Sequence, residues 1–217
     1  MDNIKKYWKG LNWRGNIYVA LILSLLLVLL LYSVSRVAFY FFNTPFFPAM
    51  NASRMLTIMA GGLRFDLSAT LYSNSLFILL MIVPLSIRFH PGYQKTLKWI
   101  FLIVNSIAFA INTSDFIYYR FTLRRTTLSV IDQFKNEGNL FKLGFQFVLD
   151  YWYATLFWVV LVVLLYAGFK KITYSGPQLK NRLSFYGVGI LAMLLSIYLF
   201  VGGARGGFRG STRPITL

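Results

Sequence analysis

The sequence predicts an all-α membrane protein of five transmembrane helices, N-terminus in and C-terminus out, with short amphipathic juxtamembrane helices on the outer face. Three observations predict it. The chain is 57% apolar and 18% aromatic but only 13% charged, where soluble domains carry about 25% charge. Charges are missing altogether between Arg14 and Arg36, Asp66 and Arg88, Asp150 and Lys170, and Arg182 and Arg205. Each of these runs has the length of about 20 residues that crosses about 30 Å of hydrocarbon as a helix. A fifth run, from Lys98 to Tyr119, is broken only by Asp115.

The first span, at about 16–35, follows Lys5, Lys6, Lys9 and Arg14. Its apolar run is too long for a cleavable signal, and no small-residue cleavage site follows, so it reads as a retained anchor. Segment 36–50, RVAFYFFNTPFFPAM, packs six aromatics around Pro45 and Pro48, the composition of an interfacial belt at headgroup depth. The second span is expected at about 67–87, with Pro84 ending the helix. His90, beside Pro91 and Gly92, reads as a solvated loop histidine. The third span follows at about 98–119. Segment 128–149 carries Leu128, Ile131 and Phe134, then Leu140, Phe141, Leu143, Phe145, Phe147 and Val148, split by Asn136, Gly138 and Asn139. This pattern predicts two short amphipathic helices on the outer surface, covering the bundle or contacting substrate. Spans at about 151–169 and 183–202 complete a transmembrane domain over 1–202. Residues 203–217, GARGGFRGSTRPITL, read as the start of a linker. With no cysteine, the chain has no disulfide framework and no thiolate metal site.

Orientation follows from the basic residues. With the N-terminus in the cytoplasm, segments 1–15, 88–98 and 170–182 hold 11 Lys and Arg in 39 residues. The outer segments 36–66, 120–150 and 203–217 hold the other 11 in 77, so density favours N-in, C-out. The inner set is eight Lys and three Arg, the outer set nine Arg and two Lys. Arginine is favoured where a planar fork grips phosphate or carboxylate. The outer face therefore suits either an anionic group or internal ion pairs. The net charge of +16 and the RGG-like tail point to the lipid surface rather than nucleic acid, because the basic residues lie between spans.

Two polar stripes interrupt the apolar spans. Asn105, Ala108, Asn112, Asp115 and Tyr119 are spaced to share one helical face. Asp115 at membrane depth calls for a partner, with Arg120, Arg124, Arg125 and Arg64 as candidates. In GGLRFDLSATLYSNS, Asp66, Thr70 and Ser73 form a second stripe beside Asn74. Asp66 is either an N-cap or part of a polar cleft rimmed by Arg64 and the 120–125 arginines. Such a cleft would hold a lipid phosphate; the alternative is two helices locked by Asp–Arg pairs. No P-loop, HExxH or GxSxG motif is present, and no segment outside the spans is long enough to enclose a reaction.

The five-span plan, GLRFDLSA opening the second span, NTSDFIYYRFTLRRT ending the third, FKNEGNLFKL in an outer segment and the final RGGFRGSTRPI together resemble one family. This is the N-terminal membrane domain of lipoteichoic-acid-synthase-like phosphoglycerol transferases, membrane sulfatase-family proteins of the alkaline phosphatase superfamily. The version seen here is most similar to those of Bacteroidetes-type bacteria. Lipid A phosphoethanolamine transferases share the plan and are the nearest rival. The resemblance implies a bacterial cytoplasmic (inner) membrane and an extracytoplasmic catalytic domain after Leu217. In the family that domain carries a threonine nucleophile and a manganese or zinc ion, and it moves phosphoglycerol or a similar head group from a phospholipid to an acceptor. No catalytic residue, metal ligand or cofactor site is expected in the present chain. Its implied partners are membrane phospholipids and its own catalytic domain. The positions matching the family pattern are Arg64, Asp66, Asp115, Tyr119, Arg120, Arg125 and Glu137. A small membrane scaffold or transporter subunit is the contrasting expectation; odd span number and the lack of paired broken helices weigh against a transporter.

Overall fold

The computed structural model describes residues 15–48, 50–124, 140–172, 174 and 181–204, the side chains of 140–144 and 182 excepted. The described chain is helical, with one isolated bridge between Gly15 and Tyr174. Seven α-helices follow in order: α1 (Ile17–Phe42), α2 (Ala52–Ser73), α3 (Ser75–Ile82), α4 (Pro91–Thr122), α5 (Leu140–Asp150), α6 (Trp152–Lys171) and α7 (Arg182–Ala204). Four of them are long and apolar enough to cross a membrane: α1, α4, α6 and α7. The bent pair α2–α3 makes a fifth if it is one span.

α1 begins at Asn16, whose side chain accepts the Tyr18 N–H at 2.8 Å. Ile17, Leu21, Ser24, Val28, Leu31, Ser35 and Phe39 recur every three or four residues and are all buried, so one stripe of α1 faces the bundle. The helix does not stop at residue 35. The aromatics through Phe42 continue it, and the extended belt expected over 36–50 starts only beyond them. Asn43 and the 3₁₀ turn Thr44–Phe46 end α1, because the residue before Pro45 is forced away from helix. Buried Asn43 donates its amide to the carbonyls of Phe39 and of Phe116 on α4, at 3.1 and 3.2 Å.

α2 starts at Ala52, capped by Asn51, which accepts the Arg54 N–H at 2.8 Å. The second span was expected only from residue 67, because Arg54, Arg64 and Asp66 interrupt the apolar run. Asp66 is therefore a mid-helix residue and not an N-cap. The helix then breaks at Asn74, and α3 leaves at 65°. Ser73, Asn74 and Ser75 compete with the backbone for hydrogen bonds. The Thr70 carbonyl accepts the Asn74 amide side chain at 3.0 Å, the Asn74 N–H at 3.0 Å and the Ser73 hydroxyl at 3.3 Å. Asn74 is held from the other side as well. Its amide and that of Asn105 on α4 exchange hydrogen bonds at 3.0 and 2.7 Å, both side chains being buried.

α3 ends at Ile82, just ahead of Pro84. Its last carbonyls find side-chain donors, as a helix end away from water requires. The Tyr93 hydroxyl donates to Leu80 O at 2.8 Å, and Arg88 Nη1 to Val83 O at 3.3 Å. Arg88 is 4% exposed, with its guanidinium 5.0–5.6 Å from the ring centroids of Tyr18, Phe89 and Phe185. Sequence density counted it only as a topological charge. His90 is exposed, as expected of a loop histidine, but it also caps α4: its Nδ1 accepts the Gly92 N–H at 3.2 Å.

α4 runs the full depth of the bundle, longer at both ends than the expected 98–119. It packs most broadly on α6, where the rings of Phe101 and Phe169 stack at 4.7 Å and the Trp158 indole N–H donates to Ser106 O at 2.9 Å. α7 lies against α2 and α3. Gly203 permits this approach, since a Cβ there would sit 2.5 Å from Leu71. The helices alternate in direction. One end of the bundle gathers Phe42, Ala52, Thr122 and Trp152, and the other gathers Ile17, Ile82, Pro91 and Lys171. Of the two amphipathic helices expected over 128–149, the second is α5; the first lies outside the described residues.

Removing one partner of the Asn74–Asn105 pair leaves a buried amide unsatisfied. Asn105→Ala is expected to cost about 1–3 kcal/mol in reversible unfolding from bilayer discs. The double replacement Asn74→Leu with Asn105→Leu should recover part of that loss.

Candidate functional site

The polar residues of three helices meet at one depth, nearer the Phe42 end. α1 supplies Tyr32, Ser35, Arg36 and Phe39; α2 supplies Gly62 and Asp66; α4 supplies Asn112 and Asp115. Arg36 is the centre of this arrangement. Its Nη2 donates to Asp66 Oδ1 at 2.6 Å and to Gly62 O at 3.2 Å. The two charged side chains are 15% and 13% exposed. The guanidinium passes over α2 where a side chain is missing: a Cβ on Gly62 would lie 2.2 Å from Arg36 Cζ. One residue earlier on α1, the Ser35 hydroxyl donates to Asn112 Oδ1 at 2.5 Å.

Tyr32, Arg36, Phe39, Asp66, Asn112 and Asp115 enclose a cavity of about 10 Å³. That is room for a single water. Arg36 Nε and Asp66 Oδ2 are buried beside it without a protein hydrogen-bond partner, which gives such a water its polar contacts. Asp115 is 7% exposed. One guanidinium thus stands among two carboxylates. A cavity of this size does not admit a phosphate.

The predicted site residues divide accordingly. Asp66, Asn112 and Asp115 come together. Tyr119 stands one turn beyond them, its ring stacked on Phe47 at 5.8 Å and edge-on to Phe39 at 5.1 Å. Arg120 is exposed and donates through Nη2 to Phe42 O at 2.5 Å, tying the ends of α1 and α4. Arg64 and Arg124 are exposed. Arg125 and Glu137 lie outside the described residues. Arg36 lines the same cavity as Asp115. Two signals mark Arg36 in the sequence. It ends the first charge-free run one turn after Tyr32, and the Gly61–Gly62 pair in an otherwise helical pattern signals a close approach.

A second feature lies at the same end. A groove of about 460 Å³ opens between the 3₁₀ turn and the start of α2, lined by Phe46, Phe47, Pro48 and Met50 on one side and Ser53, Arg54, Thr57 and Ile58 on the other. At the opposite end, burial and the neighbouring Tyr93 push the Tyr174 phenol up to about 12, so it stays neutral at physiological pH. Among the described residues, no three His, Cys, Asp or Glu side chains come together to hold a metal ion. No family model, curated protein or solved structure matches the chain.

The glycine pair separates the ion pair from helix propensity. Gly61 has nothing within 4 Å of a built Cβ, so Gly61→Ala is expected to stabilise by roughly 0.5–1 kcal/mol. Gly62→Ala displaces the guanidinium from Asp66 and is expected to destabilise by about 1–3 kcal/mol. Parallel unfolding curves of the two variants check the difference in sign.

Proposed function

We propose that the chain is the membrane domain of a phospholipid head-group transferase of the phosphoglycerol type. In this reading it anchors in a bacterial cytoplasmic membrane, N-terminus in and C-terminus out. It serves a following extracytoplasmic catalytic domain as the approach for the lipid substrate. The observation that carries the reading is the chemistry of the Phe42 end. Arg54, Arg64, Arg120 and Arg124 are all exposed there, against Asp150 as the exposed acid among the described residues. Phe41, Phe46 and Trp152 surround them, 70%, 41% and 64% exposed, as expected for an interfacial aromatic belt. A cationic, aromatic rim draws anionic headgroups to the membrane face where the resemblance puts catalysis. α5, with Phe145, Val148 and Leu149 exposed, fits the same surface as a helix lying in the interface.

The chemistry would belong to the following domain. Phosphoglycerol would pass from phosphatidylglycerol to an acceptor hydroxyl, leaving diacylglycerol, with manganese or zinc bound in that domain. A phosphoethanolamine transferase would use the present chain in the same way. A second reading, a non-enzymatic scaffold or transporter subunit, draws on the break at Asn74, since discontinuous spans line transport sites in some carriers. The Arg36–Asp66 contact favours the scaffold form of it.

The test uses membranes containing the native polypeptide and phosphatidylglycerol labelled in its acyl chains. Labelled diacylglycerol is the expected product, and residues 1–217 alone are expected to form none. Absence of diacylglycerol, together with solute flux in proteoliposomes, would replace the transferase reading with the second one.

A further inference from the structure

We propose that α7 is a brace that sets the angle between α2 and α3, so that a movement of either is passed to the other. A transferase anchor and a scaffold would share this brace, since it is a matter of packing alone.

The bent pair has a hinge of its own. α3 leaves α2 at 65°, and the hinge is pinned to α4 by the hydrogen bonds between Asn74 and Asn105. A pin at the vertex fixes where the two arms meet. It leaves open the angle at which they part. That angle needs contacts on each arm, and α7 touches both.

On the α2 arm, the Ser68 hydroxyl donates to Ala204 O at the end of α7. A Cβ on Gly203 would lie 2.5 Å from Leu71, and the rings of Tyr72 and Phe200 meet edge-on at 6.4 Å. Beyond the hinge, a Cβ on Gly189 would lie 2.7 Å from Pro84 Cβ. The Phe185 ring stands 6.5 Å from that of Phe89 and 5.3 Å from the Arg88 guanidinium. Gly189 and Gly203 are 14 residues apart, about 21 Å along one helix. One rod thus fixes Leu71 relative to Pro84 across the hinge.

These contacts are of the kind that hold helices together in lipid. Apolar area does not favour a neighbouring helix over acyl chains, whereas small residues and polar bonds do. On α7 they are turned to the bent pair, through Gly189, Gly203 and the Ala204 carbonyl. Leu183, Leu191 and Leu194 are exposed, and Gly187 has nothing within 4 Å of a built Cβ. The two close glycines differ in stiffness. Leu71 can turn the end of its side chain aside, but the Pro84 ring cannot, so Gly189 is the tighter contact.

The chain contains no cysteine, so Leu56→Cys with Leu85→Cys, exposed positions on either side of the hinge, takes one pair of nitroxide labels. Their separation is read by pulsed electron spin resonance in bilayer discs. Gly189→Leu is expected to shift the mean separation by about 2 Å or more, the range of helix spacing that side-chain size sets. The milder Gly189→Ala should shift it in the same direction by less. Gly187→Leu, the same change two residues away, should leave it unchanged. A second label pair at Leu30 and Ile107, exposed on α1 and α4, confirms that the rest of the bundle is intact, and Gly189→Ala decides if the leucine variant loses that reference. An unchanged separation in the Gly189 variants overturns the proposal and leaves the bend to Asn74 and Asn105. So does an equal shift in Gly187→Leu, because added bulk anywhere on α7 would then act alike.

Discussion

The placement of one guanidinium, that of Arg36, governs how α1, α2 and α4 pack. A charged side chain at this depth is costly unless it is paired and hydrogen-bonded. Arg36 meets both conditions on α2, through Asp66 and the Gly62 carbonyl. The pairing sets the rotation of α2 against α1, and the bare backbone at Gly62 sets their distance. α4 is then brought in by Ser35–Asn112 on the adjoining residue of α1 and by Asp115 across the same small cavity. Hydrophobic contact alone would not specify this register, because lipid is as good a neighbour for leucine as another leucine is. The polar contacts supply what apolar ones cannot, which is a preference for a single arrangement.

The same logic recurs deeper in the bundle. Asn74 turns α2 into α3 and is held by Asn105, while Arg88 and Tyr93 close the far end of α3. Each interruption of the helical ladder is met by a side chain from another element. The break is thus tolerated at membrane depth because its freed backbone groups are satisfied inside the protein. These inward-facing groups are structural in their chemistry. Exposed arginines and an aromatic groove lie at the Phe42 end. The two sets lie within a few helical turns of each other, and the linear reading left a lipid cleft and an Asp–Arg lock open between them.

How much of this was legible in the sequence depends on the kind of signal. The charge-free runs located α1, α6 and α7 because a hydrocarbon slab imposes a length that composition reports directly. The stripe Asn105–Asn112–Asp115–Tyr119 was legible because helical spacing is local, and all its polar members face the bundle. The early start of α2 was not legible, since exposed charges on a helix such as Arg54 and Arg64 look the same in sequence as charges in a loop. Arg36 was hidden because its role depends on Gly62 and Asp66, 26 and 30 residues away. The break at Asn74 was read as part of a polar stripe. Ser73, Asn74 and Ser75 are compatible with either a stripe or a hinge until Asn105 decides between them.

The central claim is that Arg36 and Asp66 are energetically coupled. A double-mutant cycle of Arg36→Ala and Asp66→Asn, read by reversible unfolding in bilayer discs, tests it directly. The account predicts that Arg36→Ala alone costs about 3–5 kcal/mol, because the buried Asp66 carboxylate loses its cation. It also predicts that this exceeds the cost of Asp66→Asn, and that the coupling between the two is at least about 1 kcal/mol. Additive effects, or an Arg36→Ala variant as stable as the wild type, would contradict it and leave the packing of α1, α2 and α4 to apolar contact alone.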